Sequence, residues 1–292
     1  MTAPSIGFIG AGEAGRVLAI AVRDSGASVA AYDLTESRVR DAGLRLLSPS
    51  ELLASSDFVV SVVPAQAATE VAAACAPLLR AGQLYLDLAS TSPRIKVEIA
   101  TLIQSSPAEF VEGAILGAIG ITGSATRIAL SGAKARDAAG TLCSAGLNTV
   151  FLSEKIGTAS TFKMLRSIFS KGVEALLIEL LVTARRAGLA GEVWEDICDF
   201  MSADSFQNIA ENWVRTHAVH CERRRTELEQ VVETVQDLKA EPVMTRTVEA
   251  IFARSVRLGL ESAFADQPAE ASAVVEWLEN KLRQTENSGA QR

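Results

Sequence analysis

The 292-residue chain is poor in the residues that most often carry visible chemistry. It has two histidines, His217 and His220, both in the C-terminal half, which argues against a nucleophile–histidine–carboxylate hydrolase. Its four cysteines, Cys75, Cys143, Cys198 and Cys221, show no C-x-x-C spacing. With no basic n-region or cleavage site in Met1-Thr2-Ala3-Pro4, they read as reduced thiols and the protein as cytoplasmic. Long apolar runs are missing too. The most apolar helical stretch, residues 173–184, contains Glu174 and Glu179 and is shorter than the roughly 20 apolar residues that cross a bilayer. Excess positive charge is also absent: the net charge of −7 weighs against nucleic acid or an anionic membrane as partner. The one dense basic cluster, Arg223-Arg224-Arg225, lies among glutamates and reads as a solvated helix face. Lysine is scarce, with 7 against 21 arginines, so each lysine is worth locating.

What is present is an ordinary globular balance, 48% hydrophobic and 22% charged, in a length that suits two domains. Residues 5–9, 28–32, 58–63, 84–88 and 127–130 read as strands, alternating with helix-length segments 13–25, 65–79, 93–104 and 134–145. Nearly continuous apolar strands with such crossovers predict a mostly parallel sheet covered on both faces. From about Ser153 onward only helical periodicity is visible. The expected fold is therefore α/β: a Rossmann-type domain over residues 1–153, then an all-α domain over 154–292. The second domain is entered through a long interdomain helix ending at Gly188, with a bend allowed at Gly157 or Gly172. Later helices are expected at 193–203, 208–235 (with a break) and 241–258, and a frayed tail at 284–292.

The segment Ile6-Gly7-Phe8-Ile9-Gly10-Ala11-Gly12-Glu13-Ala14-Gly15 ends a strand and opens a helix. Gly10, Gly12 and Gly15 have the G-x-G-x-x-G spacing. The first allows a tight turn, the second lets backbone approach a pyrophosphate, and the third brings helix and strand together. Asp33, at the end of the second strand, completes the pattern and favours NAD over NADP, because a carboxylate accepts from the ribose hydroxyls and repels a 2′-phosphate. Arg38 is the residue that would receive such a phosphate. Ala11, Glu13 and Ala14 belong to the same loop, and Val63 and Pro64 end a neighbouring strand beside it.

Three further segments fall where such a sheet presents its carboxyl ends: Asp87-Leu88-Ala89-Ser90-Thr91-Ser92-Pro93, then Glu112-Gly113-Ala114-Ile115-Leu116-Gly117-Ala118, then Gly157-Thr158-Ala159-Ser160-Thr161-Phe162-Lys163. In this order, over nearly the whole chain, they resemble the β-hydroxyacid dehydrogenase family, which includes 3-hydroxyisobutyrate and 6-phosphogluconate dehydrogenases. The resemblance implies a nicotinamide cofactor, Lys163 as acid/base, and helices packed between subunits in a homodimer or higher even oligomer. Ala89 and Ser90 stand where the family has Ser-Thr, Leu116 where it has a serine, and Arg166 and Ser167 where it has asparagines. These departures resemble a divergent phosphogluconate-dehydrogenase-like branch, to which His220-Cys221-Glu222-Arg223-Arg224 also belongs.

The chemistry can be argued from the residues themselves. Oxidising an alcohol needs a hydride acceptor and a base, and lysine serves only if burial or a nearby cation lowers its pKa. Arg166 lies three residues on, on the same helix face, and is expected to help depress it. Ser90, Leu116, Gly117, Arg166 and Ser167 are the expected substrate contacts; Lys171 either binds an anion or reaches solvent. His217, His220 and Cys221 have a one-helix metal spacing without a second ligand cluster, so no metal is expected. Trp194, Phe200, Phe206 and Trp213 read as core or dimer contacts. The leading expectation is an NAD-dependent dehydrogenase acting on a small hydroxylated substrate such as a β-hydroxyacid. The alternatives are an imine or ketone reductase on the same scaffold, or a non-catalytic dinucleotide sensor.

Overall fold

A strand that is apolar on both faces must be covered on both, and the structure, a computed structural model describing residues 4–289, shows how this chain does it. The order is β1 (Ile6–Ile9), α1 (Glu13–Asp24), β2 (Val29–Tyr32), α2 (Glu36–Asp41), β3 (Arg45–Leu46), α3 (Pro49–Ser55), β4 (Phe58–Ser61), α4 (Ala68–Cys75), β5 (Leu84–Asp87), α5 (Pro93–Gln104), β6 (Glu109–Leu116), α6 (Ile119–Thr122), β7 (Arg127–Ser131), α7 (Ala135–Ser144) and β8 (Thr149–Ser153). Helices follow: α8 (Thr158–Ala187), α9 (Ala190–Ser202), α10 (Phe206–Asp237), α11 (Val243–Arg257), α12 (Leu260–Ala263) and α13 (Ala271–Gly289).

The eight strands form one sheet in the order β3-β2-β1-β4-β5-β6-β7-β8. Every pairing is parallel except β6 with β7, so the expected mostly parallel α/β fold is what forms. Because side chains alternate along a strand, the sheet separates two cores. Phe8, Val60, Leu86 and Val111 belong to one; Ile9, Val59, Tyr85 and Phe110 belong to the other. Each fully buried large apolar side chain contributes about 1.5–3 kcal/mol, so these two layers dominate the stability of the sheet. The chain reverses its winding between β1 and β4, which opens a crevice at their carboxyl ends.

By packing, the chain divides between Ile168 and Phe169, so the first turns of α8 belong to the sheet-bearing unit. The second unit is helical, as expected. Its small core gathers Ala218, Cys221, Leu260 and Val274 beneath Phe252, Val256 and Trp277. Several local expectations are corrected. Strands β3, β6 and β8 were not among the expected ones: β3 has two residues, Glu112 and Gly113 interrupt the apolar run of β6, and β8 is a five-residue run just before the helical half. Helix α8 starts after Gly157, whose φ of +93° lies outside helical space, and runs unbroken through Gly172 to Gly188. Helix α10 has no break either; Arg223–Glu227 and Arg225–Glu229 pairs at i,i+4 support its exposed face. Residues 284–289 are helical rather than frayed, and the rest of that expected tail lies outside the described residues. Among the described residues no helix is long and apolar enough to cross a membrane.

Candidate active site

The turn after β1 has the form its glycines allow. Gly10 has φ +98°, and a Cβ there would stand 2.5 Å from the Val62 carbonyl oxygen. A Cβ on Gly15 would lie 2.0 Å from the Gly10 carbonyl oxygen, so only glycine lets α1 sit this close to β1. Gly12, the N-cap of α1, is different: nothing lies within 4 Å of its Cβ position, and no side chain caps the helix. Open space in front of an uncapped helix N-terminus is what a pyrophosphate requires, so these residues fit a dinucleotide. A cleft of about 670 Å³ continues from there, lined by Gly10, Gly12, Glu13, Ala14, Asp33, Val63, Pro64 and Ser90 among others.

Asp33 is buried at the end of β2. Its Oδ2 accepts from the Ala11 N–H at 2.7 Å, and its Oδ1 accepts from the Thr35 N–H at 2.8 Å. Ala11 and Asp33 thus fix the loop to each other. Arg38 lies 3.6 Å from Oδ1, so the residue expected to compensate a 2′-phosphate already offsets part of the Asp33 charge.

Lys163 projects from the second turn of α8, and its Nζ donates to Ser90 Oγ at 2.6 Å. Ser90 also lines the cleft, so the amine stands beside the cofactor crevice. Burial, and next the positive charge of Lys96, hold the Lys163 amine below the ordinary lysine range. The cation acting on Lys163 is therefore Lys96 rather than the expected Arg166. Lys96 is 1% exposed, and its Nζ donates to Asp87 Oδ2 at 2.5 Å and to the Asp87 carbonyl at 3.0 Å.

The start of α8 is held by a second buried acid. Glu112, on β6, has no exposed surface. Its Oε1 accepts from the Ala159 N–H at 2.9 Å and from Ser131 Oγ at 2.5 Å, and its Oε2 accepts from Ser160 Oγ at 3.1 Å. A carboxylate at a helix N-terminus satisfies free N–H groups and complements the helix dipole. Glu112 thereby fixes the turn that leads to Lys163.

Not every expected contact joins this cluster. Arg166 is exposed on α8, and Gly117 lies at the surface just beyond β6. Ser167 Oγ donates to the Lys163 carbonyl of its own helix at 2.9 Å. Leu116 packs beside Ala114, Ala129 and Ala159, and it is Ile115 that lines the cleft. Lys171 pairs with Glu174 at the surface. His217 is bonded to Ser255 Oγ at 2.9 Å and set edge-on to Phe252. Lys96, Asp87 and Glu112 were not among the expected site residues. Lys96 had a signal: it shares a buried helical stripe with Ile99, Ala100 and Ile103, where a lysine is out of place.

Known proteins resemble this chain in both of its halves. Residues 5–141 match the NAD binding domain of 6-phosphogluconate dehydrogenase, and residues 184–255 match a domain of unknown function, DUF1932. A solved conserved protein of unknown function, described as structurally similar to 3-hydroxyacid dehydrogenases, is 30% identical, with 86% of this chain and 96% of that one covered and a TM-score of 0.59. At the level of fold alone, the chain is similar to a reductive aminase from Aspergillus terreus in complex with NADPH and ethyl levulinate (17% identity, 95% and 100% covered, TM-score 0.78). An imine reductase variant from Myxococcus stipitatus in complex with NAD+ gives 18% identity, the same coverage and a TM-score of 0.76. The sheet-bearing unit carries the NAD binding domain of 6-phosphogluconate dehydrogenase and the helical unit a DUF1932 domain, and the chain belongs to the family of that 30% identical conserved protein, whose fold is similar to 3-hydroxyacid dehydrogenases.

Proposed function

We propose that the protein is an NAD-dependent dehydrogenase that oxidises the hydroxyl of a β-hydroxyacid or a related hydroxylated compound, with Lys163 as general acid/base. The observation that carries this reading is the Lys163 Nζ–Ser90 Oγ contact of 2.6 Å at the edge of the cleft. Gly10, Gly12, Gly15 and Asp33 would hold the dinucleotide, whose nicotinamide supplies the hydride acceptor when bound. The neutral Lys163 amine takes the hydroxyl proton in oxidation, and the ammonium returns it in reduction. Ser90 fixes the amine and offers its own hydroxyl to the substrate oxygen. Arg166, one turn beyond Lys163 and exposed, supplies the planar fork for a substrate carboxylate. Ile115 makes this side of the cleft apolar, which favours a substrate with an apolar group there.

The assignment of residues 1–153 to cofactor and 154–292 to substrate and assembly belongs to the same proposal. So does a homodimer or higher even oligomer. It is supported by large apolar side chains left exposed on the helical unit, among them Ile178, Phe200 and Trp213. The direct experiment follows NADH formation across a panel of hydroxyacids, and NADH consumption with ketones in the presence and absence of an amine. Oxidation of a hydroxyacid supports the proposal; turnover only with ketone plus amine selects the reductase instead.

A further inference from the structure

A lysine with 1% of its surface exposed is rare, because removing an ammonium from water is costly unless a partner and further hydrogen bonds compensate it. Lys96 has both, in Asp87 Oδ2 and the Asp87 carbonyl, and Asp87 itself is fully buried. Two buried apolar residues in these places would serve stability at least as well. The pair therefore calls for a role that a neutral pair would not fill.

Its position supplies one. Asp87 ends β5 and begins the turn Asp87-Leu88-Ala89-Ser90, within which the Ala89 N–H reaches back to Asp87 Oδ1 at 3.4 Å. Lys96 sits on the first turns of α5, whose Ser92 cap follows that turn directly. The buried ammonium thus ties the end of β5 to α5 and closes the loop that presents Ser90. The same turn carries Ser90, the hydrogen-bond partner of a second amine, Lys163. The charge that acts on Lys163 from a neighbouring element is that of Lys96 on α5, which is paired with Asp87 on β5; its own helix carries Arg166, and Glu112 is bonded to the Ala159 and Ser160 turn.

We propose that Lys96 is a positioning residue for the reaction: it anchors the loop that presents the Ser90 hydroxyl to Lys163, and its buried charge opposes a second positive charge on the Lys163 amine. The direction in which Lys163 is shifted agrees with this, burial being the larger cause and Lys96 the next. The inference rests on Lys163 being the acid/base, so its test must read Lys163 without relying on turnover.

That test is the pH dependence of Lys163 acylation by acetic anhydride in the full-length protein, quantified by mass spectrometry. Lys96→Met removes the charge, Lys96→Arg retains it, and Lys96→Met with Asp87→Asn removes the whole pair without stranding a buried carboxylate. In Lys96→Met the Lys163 midpoint should rise by about one unit, the scale of a close like-charge effect, and in the double variant, which removes a net-neutral pair, it should rise by less. Lys96→Arg should hold it within a few tenths. In the dehydrogenase assay the acid limb of kcat/KM should move with the acylation midpoint, whereas a purely structural lysine would lower activity without moving the limb. A midpoint unmoved in both folded variants overturns the proposal. A shifted midpoint, together with a Lys163→Ala enzyme that still turns over, upholds the electrostatic role of Lys96 and overturns the assignment of Lys163 as acid/base.

Discussion

Lys163 Nζ and Ser90 Oγ meet at 2.6 Å although 73 residues separate them in the chain. Ser90 comes from the turn after β5 and Lys163 from the second turn of α8, and each partner is fixed by a buried charge. Lys96 holds the turn through Asp87; Glu112 holds the helix through Ala159 and Ser160. The geometry of the amine is therefore set by residues that do not line the cleft.

The first prediction concerns pH. Lys163 acts as a base only when deprotonated, and burial followed by Lys96 lowers its pKa. NAD-linked oxidation should rise with pH through an interval below the ordinary lysine range, and reduction should fall over that interval. The stability sign follows from the same shift. The folded state releases this proton at lower pH than the unfolded state, so stability rises with pH between the two values, and Lys163→Met removes that contribution. Profiles of kcat/KM in both directions and denaturation curves against pH check both statements. A rate that rises only above the ordinary lysine range would contradict the first.

Glu112→Ala removes the acceptor shared by the Ala159 N–H and the Ser131 and Ser160 hydroxyls; the Ala159 N–H keeps Ser131 Oγ and the Ser160 hydroxyl keeps the Gly157 carbonyl, but the Ser131 hydroxyl is left without an acceptor. A buried donor left without its acceptor costs about 1–3 kcal/mol, so urea denaturation should show a loss within that range. The surviving folded enzyme should lose kcat more than it loses affinity for NADH. Equal stability of variant and parent would show that the carboxylate is not holding α8.

The cofactor preference should be NAD(H) over NADP(H), because Asp33 stands where a 2′-phosphate would go. Arg38 tempers it, being 3.6 Å from that carboxylate. Arg38→Ala should weaken NADPH binding more than NADH binding, as measured by fluorescence titration of both. Tighter NADPH binding in the parent would overturn the Asp33 argument.

Light scattering at micromolar concentration should give at least twice the 30.9 kDa chain mass. Replacing exposed apolar residues of the helical unit, for example Ile178→Lys with Trp213→Lys, should lower that mass. A monomeric parent would contradict the assembly.

The cofactor cleft was legible in the sequence because its signal is local: three glycines, a strand, a helix and Asp33 lie within about one βαβ unit. Lys163 was singled out by the family resemblance and by its place on an apolar helix in a lysine-poor chain, but its contact with Ser90 was not foreseen. The devices that hold it were not legible either. Glu112 reads as an interruption of a strand until β6, β7 and α8 converge on it, and the partner of Lys96 is nine residues away on another element. Arg166 was expected to act on Lys163 because i,i+3 spacing is visible in sequence, whereas the contact of Lys96 with that region depends on the turn between β5 and α5. Leu116 and Ile115 differ only by strand alternation, so the register of β6 decides which of them lines the cleft.

Comparing the parent with Lys163→Ala on a hydroxyacid that yields NADH isolates the part Lys163 plays in turnover. The account predicts a fall in kcat of about 10²–10⁴, the usual contribution of a general acid/base, with NADH affinity and fold unchanged. Lys163→Arg should fail as well, because a guanidinium does not release its proton near neutral pH. A Lys163→Ala enzyme with near-parental kcat would contradict the account.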